Sequence, residues 1–177
     1  VRQATIDILT ESSASELTLE AVATKAEVNR ATLYRRWGDK SRLITWALLE
    51  TVGQEVPYVD KGSLTADVLV VMQGVNKFLG TPLASSIMQI MAQTSEQGSS
   101  IKSARNEFWA NRLSRIDEVF DRAVSRGELS VREDRDYLID QLFGPIYLQH
   151  IMGRGAVSQK YLKRLIEDVF SRTGRSS

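Results

Sequence analysis

The chain has 177 residues, of which 42% are hydrophobic, enough to bury one domain or a small domain joined to a larger one. It contains no cysteine, which excludes disulfide frameworks and thiolate metal sites. The formal net charge is only +1, but residues 25–42 carry six basic and two acidic side chains, leaving −3 for the remainder. Such a basic segment is typical of one local contact with a polyanion, although a solvated helix face gives the same pattern.

The N-terminal residues lack the charged and then apolar profile of a secretory signal. Apolar stretches such as 68–72 are far shorter than the roughly 20 residues that a membrane span needs. From the sequence we therefore expect a cytoplasmic protein that makes no contact with a membrane.

Apolar residues recur at helical spacing throughout the chain, which predicts an all-α fold. Thr18 and Asn29 are predicted helix caps, Gly38 a helix stop, and 57–63 a domain boundary. The predicted helices span about 2–11, 19–25, 29–37, 40–55, 64–79, 82–97, 101–126 and 135–152, with a ninth after a cap at Ser158.

Residues 18–37 fit a helix-turn-helix, which needs a short support helix, a tight turn and a second helix. The exposed tip of the second helix can enter the DNA major groove while its other face holds the core. On a helical wheel Leu33 and Trp37 lie on one side, opposite Ala31, Tyr34 and Arg35. The first pair is expected to pack and the second set to face outward. An ordinary helical hairpin with a solvated basic face is the alternative.

The outward residues suit DNA in different ways. Asn29, Arg30 and Thr32 can reach base edges or phosphates, and the small Ala31 lets the helix approach the groove closely. Basic and hydroxyl side chains nearby suit phosphate oxygens. The predicted DNA-binding residues are Thr18, Asn29, Arg30, Ala31, Thr32, Tyr34, Arg35, Arg36 and Lys40.

The segments LTLEAVA at 17–23 and VNRATLYRRWGDK at 28–40 resemble the DNA-binding signature of TetR-type transcriptional regulators. The resemblance implies that Tyr34 and Lys40 hold phosphates, while Arg30, Ala31 and Thr32 read bases. One position departs from the family pattern: Glu27 occupies the turn where the family usually has glycine. We expect strain there if the residue is left-handed, and a negative charge close to DNA.

The segments 122–129 and 144–147 resemble the C-terminal domain of one large TetR subgroup. The resemblance implies dimerisation through the last two helices, which pair with their mates as a four-helix bundle; an intramolecular core is the alternative. Pro145 is expected to kink its helix or remove one hydrogen bond. The predicted interface residues are Leu138, Leu142, Ile146, Ile151, Tyr161, Leu162, Leu165, Ile166 and Val169.

Large apolar and aromatic residues of the C-terminal part are candidates for an effector pocket, although plain core is the ordinary explanation of such residues. The candidates are Met72, Phe78, Met88, Met91, Phe108, Trp109, Phe120, Tyr147 and His150. Their character favours a hydrophobic or amphipathic effector. For His150, a satisfied core or interface position is the more ordinary explanation.

The acidic residues 133, 134, 136 and 140 have the spacing of a solvated helix start, so no metal is predicted. No nucleophile, phosphate loop or His–carboxylate pair is apparent, so neither an enzyme nor a cofactor is expected. The expected fold is a three-helix helix-turn-helix domain followed by six helices for ligand binding and dimerisation. The expected boundaries are 1–45 for the helix-turn-helix domain, 46–62 for the connecting fourth helix and linker, and 63–177 for the ligand-binding and dimerisation domain.

The expected function is that of a repressor whose homodimer binds a palindromic double-stranded DNA operator and leaves it when an unknown small effector binds. A dimeric DNA-binding regulator with no small-molecule effector is the alternative.

Overall fold

The computed structural model describes residues 1–11, 17–92 and 99–173. These residues form nine α-helices and no strand, which confirms the all-α prediction. The helices are α1 Arg2–Glu11, α2 Leu19–Lys25, α3 Arg30–Trp37, α4 Lys40–Glu55, α5 Leu64–Leu79, α6 Pro82–Ala92, α7 Ser99–Ser125, α8 Arg135–Ile151 and α9 Gln159–Thr173.

The helix boundaries follow the predictions to within two residues at most ends. Asn29 lies outside α3 as its N-cap, and Met152 lies outside α8 as its C-cap. The predicted extension of the sixth helix from Ala92 to 97 falls outside the described residues. Pro145 lies inside α8, as predicted.

One compact unit, the N-terminal unit, comprises the described residues of 1–54 and 82–111. Within it α1 packs on α2 and on α6, and α2 packs on α3. Its core is built from apolar side chains that recur at helical spacing, and Leu33 and Leu43 are fully enclosed in it. Burying side chains of this size stabilises the unit by roughly 1.5–3 kcal/mol each.

The start of each helix in the helix-turn-helix is fixed by its own cap. The Thr18 Oγ1 accepts a hydrogen bond from the Ala21 amide at 3.0 Å, and the Asn29 Oδ1 accepts one from the Ala31 amide at 2.8 Å. These bonds satisfy amides that have no partner within the helix. Both caps predicted from the sequence are confirmed.

The turn between α2 and α3 places Glu27 in the left-handed region, with φ of +53°. The Val28 amide closes the turn by donating to the Ala23 carbonyl at 3.0 Å. A side chain other than glycine costs roughly 1–2 kcal/mol in this conformation. The strain expected for a non-glycine residue is therefore present in the turn.

A second compact unit, the C-terminal unit, comprises the described residues of 55–81 and 112–173. Here α5, α8 and α9 pack against one another in all three pairs. Met72, Leu142 and Ile146 are fully buried in this core. Gly74 lies where the chain passes closely over α5: a Cβ there would meet the Pro57 Cδ at 3.0 Å.

The two units group the helices differently from the predicted domains, because residues 82–111 have their contacts with the N-terminal helices. The division into domains at 1–45, 46–62 and 63–177 stays a prediction.

A buried carboxylate organises the start of α5. The side chain of Asp67 is completely enclosed, and its Oδ2 lies 3.1 Å from the Arg126 Nη2 and 3.9 Å from the Arg122 Nε. Its Oδ1 accepts a hydrogen bond from the Lys61 amide. The loop before α5 is thereby tied to the end of α7 through one charge, because an unpaired buried carboxylate would be costly.

Glu128 reinforces the same junction. Its carboxylate accepts a hydrogen bond from the Leu64 amide at the N-terminus of α5 and lies 2.7 Å from the Arg126 Nε. These two contacts, the amide first, lower the pKa of Glu128. Since the pKa falls on folding, the stabilisation is present above the ordinary carboxyl pKa and is lost as the pH drops through the folded value.

We predict that Asp67→Asn lowers the free energy of unfolding by about 3 kcal/mol, because it leaves the two arginines without their buried counter-charge. Urea unfolding followed by circular dichroism measures the change. Asp168→Asn is the matched control, since Asp168 pairs with Arg164 on an exposed face and its loss is expected to cost less than about 1 kcal/mol. Equal effects of the two substitutions would contradict the role given to Asp67.

Candidate functional site

The outer face of α3 carries the side chains predicted to bind DNA. Leu33 and Trp37 are buried, which confirms the inner side of the predicted wheel. Lys40, at the start of α4, is half-buried. The other predicted DNA-binding residues are exposed: Thr18, Asn29, Arg30, Ala31, Thr32, Tyr34, Arg35 and Arg36.

Glu20 in α2 holds two of these side chains in place. The Tyr34 hydroxyl donates a hydrogen bond to the Glu20 Oε1 at 2.7 Å, and the Arg30 Nη2 lies 2.6 Å from the same oxygen. The Arg30 guanidinium also lies over the Tyr34 ring, 5.2 Å from its centroid. The Tyr34 hydrogen bond is the main cause of a lowered pKa at Glu20, with smaller contributions from a backbone amide and from Arg30.

The sequence indicated only that Glu20 suits the positive end of the α2 dipole. Its contacts with Tyr34 and Arg30 cross from α2 to α3, over sequence separations of 14 and 10 residues. No helical periodicity within one element predicts such a pair. One Glu20 carboxylate oxygen is therefore shared by the Tyr34 hydroxyl and the Arg30 guanidinium.

A second contact orients Arg36. Its guanidinium lies 4.8 Å from the Trp37 ring centroid and 5.7 Å from that of Trp46. The two indole rings contact each other with centroids 4.9 Å apart. This stacking fixes the side chain at the end of α3 next to α4, because an arginine over an aromatic face gains cation–π attraction.

Six of the nine predicted dimer-interface residues are buried within the protomer, which matches the intramolecular core given as the alternative for them. Dimerisation through the last two helices stays a prediction. The inner stripe of α8 and α9 packs on α5 within the same protomer, so these side chains are already covered. An apolar stripe marks the buried face of a helix but does not distinguish the protomer's own core from a partner's. The residues buried in this way are Leu138, Leu142, Ile146, Leu162, Ile166 and Val169.

Three of the predicted interface residues remain accessible. Ile151 is 72% exposed and Tyr161 36% exposed, and Leu165 is half-buried. The outer face of α8 adds Tyr137 and Leu148, exposed apolar residues that were not predicted from the sequence, and Met152 at its C-cap, whose apolar surface was expected there. Their spacing of 11 and then 4 residues is a second helical stripe, a signal hidden by the stronger inner one.

The predicted pocket residues are divided between the two compact units, and four of the nine are buried in the core. Among them Phe108 and Trp109 contact each other edge to face, with ring centroids 5.3 Å apart. The side chain of Met91 is outside the described part of the chain. Met72, Phe78, Phe108 and Phe120 are buried, and Met88, Trp109, Tyr147 and His150 are half-buried.

His150 has a structural partner. Its Nε2 lies 3.3 Å from the Asn76 Oδ1, and Asn76 exchanges two hydrogen bonds of 2.9 Å with the backbone of Val157. These contacts attach the loop after α8 to α5. The arrangement matches the ordinary explanation given for this histidine, a satisfied position in the fold.

A polar cluster in the C-terminal unit escaped the sequence analysis almost entirely. Arg112 of α7 is only 8% exposed, and its guanidinium lies 4.9 Å from the ring centroid of Tyr58. The Tyr58 hydroxyl is buried and has no hydrogen-bond partner among the described residues. Tyr147 interacts electrostatically with Arg112 and is the cluster member that the sequence had placed in a pocket.

Burial shifts the titration of all three groups. It lowers the pKa of Arg112, raises that of Tyr58, and raises the pKa of Tyr147 to about 12. Both phenols are therefore protonated at neutral pH and able to donate hydrogen bonds. Burial of Arg112 was not predicted from the sequence, because a lone arginine in an amphipathic helix is usually a surface charge.

Within the described residues, no helix is long and apolar enough to cross a membrane, and no group of three or more His, Asp or Glu side chains is arranged to hold a metal ion.

Comparison with known protein families gives two matches. Residues 2–45 match the family described as bacterial regulatory proteins, tetR family. Residues 58–169 match the tetracyclin repressor-like C-terminal domain. Together the two matches cover the helix-turn-helix and most of the chain that follows it.

Among curated proteins, the chain is 33% identical to the HTH-type transcriptional regulator AqdR of Rhodococcus erythropolis, over 85% of this chain and 73% of AqdR. Among solved structures, the TetR family transcription regulator SCO0332 superposes with a TM-score of 0.74 at 22% identity, covering 96% of this chain and 94% of the other. The Bacillus subtilis regulator FadR, solved in complex with stearoyl-CoA, has a TM-score of 0.62 at 17% identity, over 99% and 97% of the two chains.

These relatives are named as transcriptional regulators, and members of the family bind DNA operators, typically as dimers. The helix-turn-helix geometry, the two family matches and the similarity to AqdR agree, and the chain belongs to the TetR family of helix-turn-helix transcriptional regulators.

Proposed function

We propose that this regulator is a homodimeric repressor that binds a palindromic operator and is released from it by a small amphipathic effector. The observation that carries the proposal is the outer face of α3, where basic and hydrogen-bonding side chains are exposed while Leu33 and Trp37 anchor the helix. Such a face can enter a major groove without disturbing the core. The protein would act in the cytoplasm, without catalysis or a cofactor.

The class of effector is proposed from the side chains of the C-terminal unit and from one solved structure with a similar fold. FadR was solved with stearoyl-CoA, a ligand with a long apolar chain and a charged head. The C-terminal unit of this chain contains both apolar side chains and the polar cluster around Arg112. An amphipathic molecule fits that combination better than a wholly polar one.

A regulator without an effector is the second candidate. Met72 and Phe120, both predicted to line a pocket, are completely buried. If the interior around them is filled, the C-terminal domain serves only for dimerisation. Ligand-binding measurements on the polar cluster around Arg112 decide between the two candidates.

We place the dimer contact on the outer face of α8 and the start of α9. Leu148, Ile151 and Met152 are each more than half exposed in the protomer, an unusual concentration of large apolar side chains on one helix end. A two-fold axis beside them would bring the same residues of two copies together. Tyr137 and Tyr161 extend the surface on either side.

We predict that Ile151→Lys weakens dimerisation by about tenfold or more, because it places a charge at the centre of an apolar contact. Sedimentation velocity over a concentration series measures the dissociation constant. Val131→Lys is the matched control, since Val131 is 75% exposed but lies in the loop between α7 and α8. If both variants dimerise like the unmodified protein, the interface lies elsewhere.

We propose that Tyr34 and Arg30 exchange the Glu20 carboxylate for a DNA phosphate when the operator binds. Tyr34 and Arg30 already point their donors at one carboxylate oxygen in the free protein. Because a phosphate oxygen accepts the same hydrogen bonds, the two side chains need only change partner. The Glu20 charge would then oppose the DNA, so it would lower affinity while keeping the donors ordered.

We predict that Glu20→Gln raises operator affinity by about two- to fivefold, the amount expected from an exposed ion pair, because it removes a competing anion. Lys40→Ala should have the opposite effect and reduce the slope of log affinity against log salt by about one. Fluorescence anisotropy with an operator selected from random DNA measures both quantities across a salt series.

Lys77→Ala is the control for Lys40→Ala, because it removes the same positive charge from an exposed lysine of α5 in the other compact unit. Its salt slope should be unchanged. Unaltered affinity in both Glu20→Gln and Lys40→Ala would rule out the proposed contacts of α2, α3 and the start of α4.

A further inference from the structure

The guanidinium of Arg112 is the charged group whose surroundings the fold explains least. It is buried, yet within the described residues it makes no ion pair with a carboxylate; its close contact is the Tyr58 ring at 4.9 Å. Burying a cation is costly unless a counter-charge and hydrogen bonds offset the loss of water. A cation–π contact returns only part of that cost.

The neighbouring arginine does not share this position. Arg115 also lies over the Tyr58 ring, at 5.2 Å, but its Nη1 is 3.8 Å from the Glu118 carboxylate. It is about half exposed, so water also solvates it. Arg115 and Glu118 therefore offset each other, and the cluster as a whole retains the positive charge of Arg112.

The other groups beside Arg112 are donors as well. The Tyr58 hydroxyl is buried and has no partner among the described residues. Tyr147, which stays protonated at neutral pH, interacts electrostatically with Arg112. Among the described residues, the Glu118 carboxylate lies near this site but pairs with Arg115, so the Arg112 guanidinium and the Tyr58 hydroxyl have no anionic acceptor there.

We infer that Arg112, with Tyr58 and Tyr147, binds the carboxylate of an amphipathic organic acid, and that this acid is the effector of the regulator. A carboxylate would accept two parallel hydrogen bonds from the guanidinium and further bonds from the phenols. The inference rests on the proposed effector-released repressor and adds the chemical class of the effector: a monoanionic acid with an apolar body.

The competing explanation is structural. The two arginines over Tyr58 could serve only to pack the loop after residue 57 against α7. On that explanation the loss of Arg112 destabilises the free protein and changes no binding. If Arg112 instead binds a ligand, its buried charge destabilises the free protein. Its replacement by an apolar side chain then leaves the free protein equally or more stable.

The test uses the full chain and matched probe pairs: straight-chain carboxylates of six to twelve carbons, and naphthoate, each against the amide of the same skeleton. Thermal unfolding and isothermal titration calorimetry measure binding. The variants are Arg112→Met, which keeps an apolar stem, and Tyr58→Phe, which removes only the hydroxyl. Arg164→Met on the exposed face of α9 is the control.

We expect at least one acid to bind the unmodified protein about tenfold or more tightly than its amide, as charged hydrogen bonds predict. Arg112→Met should abolish that preference while the melting temperature of the free protein is unchanged or higher. Tyr58→Phe should weaken the acid several-fold and leave the amide unaffected, and Arg164→Met should change neither.

No preference for an acid over its amide in any pair would overturn the inference, as would a preference that survives in Arg112→Met. If Arg112→Met does not fold, an unaltered acid preference in Tyr58→Phe overturns it instead. Operator binding measured on the same samples distinguishes failure of the proposed function from failure of the inference. If the unmodified protein binds no operator, the proposed function is contradicted. If it binds the operator but shows no preference for an acid over its amide, only the inference is contradicted.

Discussion

The packing of one face of α3 inside the N-terminal unit is the constraint on which the DNA-binding account depends. Leu33 and Trp37 are buried, so their positions dictate which side chains of an eight-residue helix face solvent. The opposite face then carries Ala31, Tyr34 and Arg35 without any alternative rotation of the helix. A helix anchored in this way can present a fixed set of donors to a groove, and the cap at Asn29 leaves its exposed N-terminus ordered.

The helices α8 and α9 obey the same rule, with a different consequence. Their stronger apolar stripe is used inside the protomer against α5, so association with a second copy must use what remains outside. What remains is a smaller surface around Leu148 and Ile151. In the proposed dimer, contacts through this surface would let the two α3 helices change their separation without repacking the core.

The sequence predicted the elements and the inner faces well, because helical periodicity and capping residues are local signals. Thr18 and Asn29 were identified as caps and both accept the expected bonds. The sequence could not predict pairs brought together by tertiary structure. Glu20 with Tyr34, Asp67 with Arg126, and Arg112 with Tyr58 join residues 14, 59 and 54 positions apart. An apolar stripe does not tell which surface covers it, and most of the predicted interface residues of α8 and α9 are covered by the protomer's own core.

The most direct measurement of the central claim is selection of random-sequence DNA by the purified protein, with sequencing of the retained fragments at two salt concentrations. The account predicts a palindrome whose half-sites are centred about one helical turn apart, roughly 34 to 36 Å, at both salt concentrations. Enrichment of no motif, with binding that disappears at the higher salt, would show a nonspecific electrostatic contact and contradict a sequence-specific dimeric regulator.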